Sequence, residues 1–224
     1  MIRRACALLM PLLAATGLAQ GETPTIETIK TAAEASWKQV QSFTSDVTMD
    51  FLFPVGNEPL NLTGAGSLNY LRDKDKDKYR FKVVTKVPEP FAMEMKMDVL
   101  YDDDKVYTVT EVMGQRHKQE GKPSLEQNAL PPGGSSLIEG MEAQMVLTPL
   151  ENAKVGEHEV FVVEGKPRDA NLPFSKAIFY IDKGLGIQRK SEIYQQDGTL
   201  GITMTFSNIQ LNSNPSPSMF VPEP

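Results

Sequence analysis

"FAMEMKMDVLY", residues 91–101, alternates without a break. Phe91, Met93, Met95, Met97 and Val99 fall on one side, and Ala92, Glu94, Lys96 and Asp98 on the other. Successive side chains of a strand point to opposite faces, so the segment predicts a half-buried strand with one dry and one wet face. Methionine is an unusual choice for the dry face, which valine and isoleucine normally fill. An unbranched thioether adapts to irregular partners, so three methionines side by side suit either a gap-filled core or a wall that meets exchangeable apolar guests.

The same period of two runs outward in both directions. Upstream, residues 43–53 place Val47, Met49, Phe51 and Phe53 on one face; residues 60–70 place Leu60, Leu62, Leu68 and Tyr70 there, interrupted by Gly64 and Gly66. Those glycines predict a bend or bulge in a strongly curved sheet. Residues 79–87 put Tyr79, Phe81, Val83 and Val87 opposite Arg80, Lys82 and Lys86. Downstream, strands are expected at 105–113, 160–165, 176–182, 187–194 and 201–211, joined by short turns such as Asp182-Lys183-Gly184 and Gln196-Asp197-Gly198. The pattern predicts a long antiparallel meander of nine or ten strands in one domain spanning residues 20–224, with no internal repeat.

Two helices break the pattern. Ile26, Ile29, Ala33, Trp37 and Val40 form a stripe at helical spacing after Thr23 as cap and Pro24 in the first turn. Between the early and late strands, Pro131-Pro132-Gly133-Gly134 leads into Leu137, Ile138, Met141 and Met145, with Ser136 and Glu139 spaced as a capping box. A short helix weakened by Gly140 and hinged on proline and glycine suits a movable cover.

One helix and one short cover are too little for so large an apolar face. The sheet is therefore expected to curl around an apolar interior, either packed solid or hollow. By phase, that interior is lined by Met49, Phe51, Phe81, Val83, Phe91, Met93, Met95, Met97, Phe179, Met204 and Phe206, with Leu137, Ile138, Met141 and Met145 on the cover.

The start of the chain reads as an export signal. Arg3 and Arg4 precede an apolar run from Ala5 to Ala15, and Gly17 and Ala19 suit cleavage after residue 19. Removal of residues 1–19 leaves 21 Lys plus Arg against 29 Asp plus Glu, a net charge of −8. Such an acidic exported chain is a poor match for nucleic acid or anionic membrane surfaces. The lone Cys6 lies in the leader, at the start of the apolar run and not after it, so neither a disulfide nor a lipid anchor is expected in the mature chain.

Catalytic constellations do not assemble. Asp73, Asp75 and Asp77 begin like a calcium loop, but Lys78 stands where glycine is needed and Val84 where the terminal acid belongs. His117 and His158 are far apart on polar segments without ligand spacing, and no Gly-x-Ser-x-Gly elbow is present. Strand acids fall on the wet face. The chain is read as a binding protein, not an enzyme, with no cofactor and no metal.

Three passages carry a resemblance: "YQQDGTLGITMTFSNIQLNSNPSPSMF" at 194–220, "GSLNYLRDKDKDKYRFKV" at 66–83 and "YDDDKVYTV" at 101–109. With the leader, the first helix and the helical insertion, the chain resembles the periplasmic outer-membrane lipoprotein carrier family (LolA) and its lipoprotein-sorting relatives. The resemblance implies an α+β, mainly β fold: an incomplete barrel of one curved antiparallel sheet, with an N-terminal helix and a short helical lid. It implies a periplasmic monomer that holds acyl chains of lipoproteins, or related lipids, between an inner-membrane donor and an outer-membrane acceptor. The same half-barrel also serves in lipid-sensing and envelope-stress regulatory modules without transport. Arg72 matches the family's strand-end arginine, which latches the lid; Asp73 follows it where the family has proline, and Asp104 replaces a glycine.

Overall fold

The computed structural model describes residues 23–55, 58–74, 76–89, 92–102, 105–122 and 132–222. The expected leader and Phe91 lie outside them. The chain begins with α1 (Ile26–Trp37) and six strands: β1 (Ser42–Val55), β2 (Glu58–Asp73), β3 (Lys76–Val87), β4 (Met93–Asp102), β5 (Lys105–Val112) and β6 (Gln115–Gly121). Helix α2 (Gly134–Gln144) follows, then β7 (Met145–Val155), β8 (His158–Pro167), β9 (Lys176–Asp182), β10 (Gln188–Tyr194) and β11 (Leu200–Leu211). The strands form one antiparallel sheet in the order β6-β5-β4-β3-β2-β1-β11-β10-β9-β8-β7. The sheet stays open: β6 and β7 are its two edges, and α2 lies on the connection between them. This is the α+β, mainly β incomplete barrel expected from the sequence.

The expected alternation sets which face is dry. Val47, Met49, Leu62, Leu68, Tyr70, Tyr79, Phe81, Val83 and Val87 are all buried. Burying each such side chain contributes about 1.5–3 kcal/mol before the opposing chain entropy. Two clusters result. The first joins Trp37, Val40, Phe43 and the inner residues of β1–β5 to Phe206 and Ile187. The second joins Ile29 and Ala33 of α1, Leu137, Ile138 and Met141 of α2, and Phe161, Val163, Ala177, Phe179 and Ile181 of β8 and β9. Both helices therefore cover the β7–β9 wing.

Several expectations are corrected. The described residues form eleven strands rather than nine or ten, because β6 and β7 carry no legible alternation. Nearly every residue of β6, "QRHKQEG", is exposed, as an edge strand wet on both faces permits. Strand β7 contains Pro149, tolerated on an edge, and slips register between Leu150 and Ala153. Gly64 and Gly66 mark no bulge: β2 pairs without a register shift with both β1 and β3. Their role is close approach, since a Cβ on Gly66 would lie 1.7 Å from the Lys82 carbonyl oxygen. Thr25 rather than Thr23 caps α1, accepting from the Thr28 amide at 3.1 Å. The Ser136–Glu139 capping box does not form, because α2 begins three residues earlier, with Gly133 as its cap. Met145 lies just past α2, as the first residue of β7.

Candidate ligand-binding cavity

A cavity of about 120 Å³ remains between the sheet and the start of α2. Phe43, Leu68, Phe81, Phe179, Phe206 and Met204 wall it from the sheet, Leu137 from α2, and Phe174 from the turn before β9. Tyr79, Gln188 and Ser191 are the lining residues with hydrogen-bonding side chains. The space is close to the ~150 Å³ of an engineered apolar cavity that admits benzene, and below the roughly 300–1,000 Å³ of drug-sized sites. In this arrangement it holds a few methylenes. A full acyl chain needs α2 or adaptable side chains such as Met204 to move.

Of the residues singled out from the sequence, the fold brings Phe81, Phe179, Met204, Phe206 and Leu137 together around this space. Met49 and Val83 are buried in the first cluster, with Phe51 and Met97 packed against it. Met93 and Met95 sit half-buried on β4, opposite Val87 and Thr85 of β3. Ile138, Met141 and Met145 pack in the second cluster instead of on the cavity wall. Sequence reading missed Phe43, Tyr79, Phe174, Gln188 and Ser191 as lining residues. The alternation already placed Tyr79 inward; nothing in it marked Gln188.

The cover is fastened at both ends. At its start, Gly133 forms a β-bridge with Ile187, and the Gly134 amide donates to the Gly186 carbonyl at 2.8 Å. Gly134 has φ +71°, and a Cβ there would lie 2.5 Å from Trp37 Cδ1, so the entry needs glycine twice over. The Glu34 carboxylate of α1 accepts from both the amide and the hydroxyl of Ser135 at 3.1 Å. An anion thus meets the free amides and positive dipole end of α2, supplied from another helix. At the far end, Lys30 Nζ lies 3.2 Å from Glu142, and Arg168 Nε donates to the Glu142 carbonyl at 3.1 Å.

Arg72 donates through Nε to the Tyr70 hydroxyl at 3.1 Å and to Asp77 at 3.3 Å. Among the described residues it makes no hydrogen bond to α2. Its guanidinium lies 5.4 Å from the centroid of the Trp37 ring, and that ring packs against Gly133 and Gly134. Arg72 therefore reaches the cover only through Trp37. Burial and the hydrogen bond to Asp77 push the Tyr70 phenol pKa far above its ordinary value, so it stays protonated as a donor.

Among the described residues, no group of three or more His, Cys, Asp or Glu side chains is placed to hold a metal, and no helix is long and apolar enough to cross a membrane.

An open half-barrel with an apolar space under a helical cover is a fold that solved structures of low sequence identity share. MucB from Pseudomonas aeruginosa, solved as a complex with MucA, is similar at 11% identity and a TM-score of 0.50, over 88% of this chain and 61% of that one. This chain thus corresponds to less than two thirds of MucB. An uncharacterized conserved protein from Thermus thermophilus is similar at 10% identity and a TM-score of 0.52, over 88% of this chain and 93% of that one. A LolA superfamily protein from Nitrosomonas europaea aligns at 14% identity and a TM-score of 0.38, over 89% of this chain and 98% of that one. A family model described only as an uncharacterized protein matches residues 141–218. Comparison of the sequence with characterised proteins gives no match.

Proposed function

We propose that this chain is a periplasmic carrier, exported by a leader at residues 1–19, whose mature domain at 20–224 binds acyl chains of lipoproteins or related lipids. The observation behind this reading is the cavity wall, which is almost wholly apolar and lies beneath a helix entered through glycines. Taking one acyl chain of about 15 methylenes from a membrane into water costs on the order of 12 kcal/mol, at about 0.8 per methylene. A carrier must offset most of that cost and still let go, which favours adaptable apolar walls over directional bonds.

In this reading the acyl end enters among Phe81, Phe179, Met204, Phe206 and Leu137. The rest of the chain follows the half-buried Met93, Met95 and Met97 of β4, and α2 shifts to make room. Arg72 acts on the cover through Trp37, so Arg72→Leu speeds release of a bound acyl chain more than it lowers Tm; unchanged release kinetics removes that role. The carrier works as a monomer that docks in turn on an inner-membrane donor and an outer-membrane acceptor.

A second reading, lipid sensing without transport, is favoured by the fastening of α2 at both ends and by the likeness to MucB, a protein solved with a protein partner. Native mass spectrometry with lipid extraction on the exported protein tests the shared core of both readings. A co-purifying acyl-bearing species is expected. A protein that remains free of lipid after export through a lipid-rich envelope overturns both.

A further inference from the structure

Strand β10 carries an irregularity that decides what the cavity presents. Gln188 pairs with Ile181, whereas Lys190 pairs with Tyr180 and Ser191 with Phe179, so the register slips at Arg189. Residues three apart on a regular strand face opposite ways. The bulge cancels that offset and turns both Gln188 and Ser191 into the cavity. It is anchored by a buried ion pair in which Arg189 Nε donates to Asp182 Oδ2 at 2.5 Å, while Asp182 Oδ1 accepts from the Gly184 and Leu185 amides. Neither Arg189 nor Asp182 lines the cavity.

The two side chains so presented are unspent. Ser191 is 4% exposed, flanked across the register by Phe179 and Met204. Among the described residues, neither its hydroxyl nor the Gln188 side-chain amide makes a hydrogen bond. On β3, the buried Tyr79 hydroxyl likewise has no partner. Gln188 is half-buried, yet a hydroxyl or amide set among apolar side chains without a hydrogen bond still costs more than an apolar side chain of similar size. A wall meant only for hydrocarbon gains nothing from them.

We infer that the cavity selects an apolar ligand bearing a carbonyl group, an ester or amide, which Ser191 and Gln188 bind at the bulge in β10. The inference rests on the acyl-binding reading and narrows it. A chain that carries its own acceptor satisfies the Ser191 hydroxyl and the Gln188 amide as it enters; a plain alkane leaves both unmet. Selectivity then comes from the penalty on ligands lacking the group, as in sites built around a hydrogen bond.

The test compares the full exported protein with its Ser191→Ala, Gln188→Leu and double variants. Titration calorimetry uses decane and methyl decanoate, which share a chain and differ in the ester. Relative to wild type, the double variant is expected to bind methyl decanoate about tenfold more weakly and decane equally or more tightly. Tm should hold or rise, because the unpartnered polar groups of buried Ser191 and half-buried Gln188 are removed. Equal changes for the two probes, or none, overturn the inference and leave acyl binding intact. Failure of both probes to bind wild type overturns the inference together with the reading beneath it.

Discussion

The two wings of the sheet are built from the same alternating pattern and end in different states. On the β7–β9 wing, α1 and α2 seal the dry face, and Ile29, Ile138, Met141 and Ile181 are fully buried. On the β4–β6 wing, no helix among the described residues reaches the dry face: Met93, Met95 and Met97 are half-buried, and β6 is wet on both sides. The cavity lies between the two, under the edge of the cover. Methionine thus does two jobs in one chain. Met141 is a core residue on the buried face of α2, whereas Met95 lines a wall that remains partly open. Residue type does not separate these roles; the position of the cover does.

The sharpest way to break the contrast uses two glycines, both at positive φ. Gly186, with φ +68°, abuts α1, and a Cβ there would lie 2.2 Å from the Ala33 carbonyl oxygen. Gly114, in the turn between β5 and β6, has φ +76° and nothing within 4 Å of an added Cβ. Gly186→Ala should cost on the order of 4 kcal/mol or prevent folding, because strain and collision add. Gly114→Ala should cost only the backbone term, about 1 kcal/mol. Equal midpoints in urea denaturation would show that the α1 contact does not hold the covered wing.

Next in size is the methionine pair. Met141→Ala should destabilise by about 3 kcal/mol through lost burial and the space left behind. Met95→Ala should cost about 1 kcal/mol or less, since water already reaches part of that side chain. Similar costs at the two positions would mean that the β4 wall is packed as tightly as the covered wing.

The smallest effect is electrostatic and sits on β10, beside the covered wing. Burial opposes ionisation of Glu192, but hydrogen bonds from Lys190, Tyr180 and Tyr194 outweigh it and hold its pKa below the usual range. Burial and the same contact push the Tyr180 phenol up to about 12. A carboxylate whose folded pKa is depressed adds stability above its unfolded pKa, about 4.3, and loses it as pH falls through the folded value. The Tm advantage of wild type over Glu192→Gln should therefore be present at pH 7 and shrink as the pH falls below the unfolded value. A gap independent of pH would assign it to packing alone.

The strongest sequence signals came from strands with one dry face. Residues 176–182 form β9 with the expected bounds, and most of the inward residues read for β1 to β3 are buried, with Phe51 and Leu60 half-buried. Alternation reports a difference between two faces, so β6, wet on both, gave no signal. The cavity was legible in part. Phe81, Phe179, Met204 and Phe206 follow from phase, because a regular strand preserves phase along its length. Gln188 does not, because the bulge at Arg189 resets phase and depends on a buried ion pair that no local pattern reveals. The fastening of α2 was illegible for a related reason. Glu34 lies about a hundred residues from the helix end it caps, so the sequence offered Ser136 and Glu139 as nearer candidates.

Trp37 is the sole tryptophan of the chain, and its ring packs both on Phe43 at the cavity wall and on the glycines that open α2. Titrating the protein with an acyl chain brominated near its middle, and following Trp37 fluorescence, tests occupancy of this space most directly. Saturable quenching is expected, abolished by Phe179→Glu in a protein that still folds. Undiminished Trp37 emission at saturating acyl chain, or quenching that persists unchanged in Phe179→Glu, would contradict a ligand seated between the sheet and its cover.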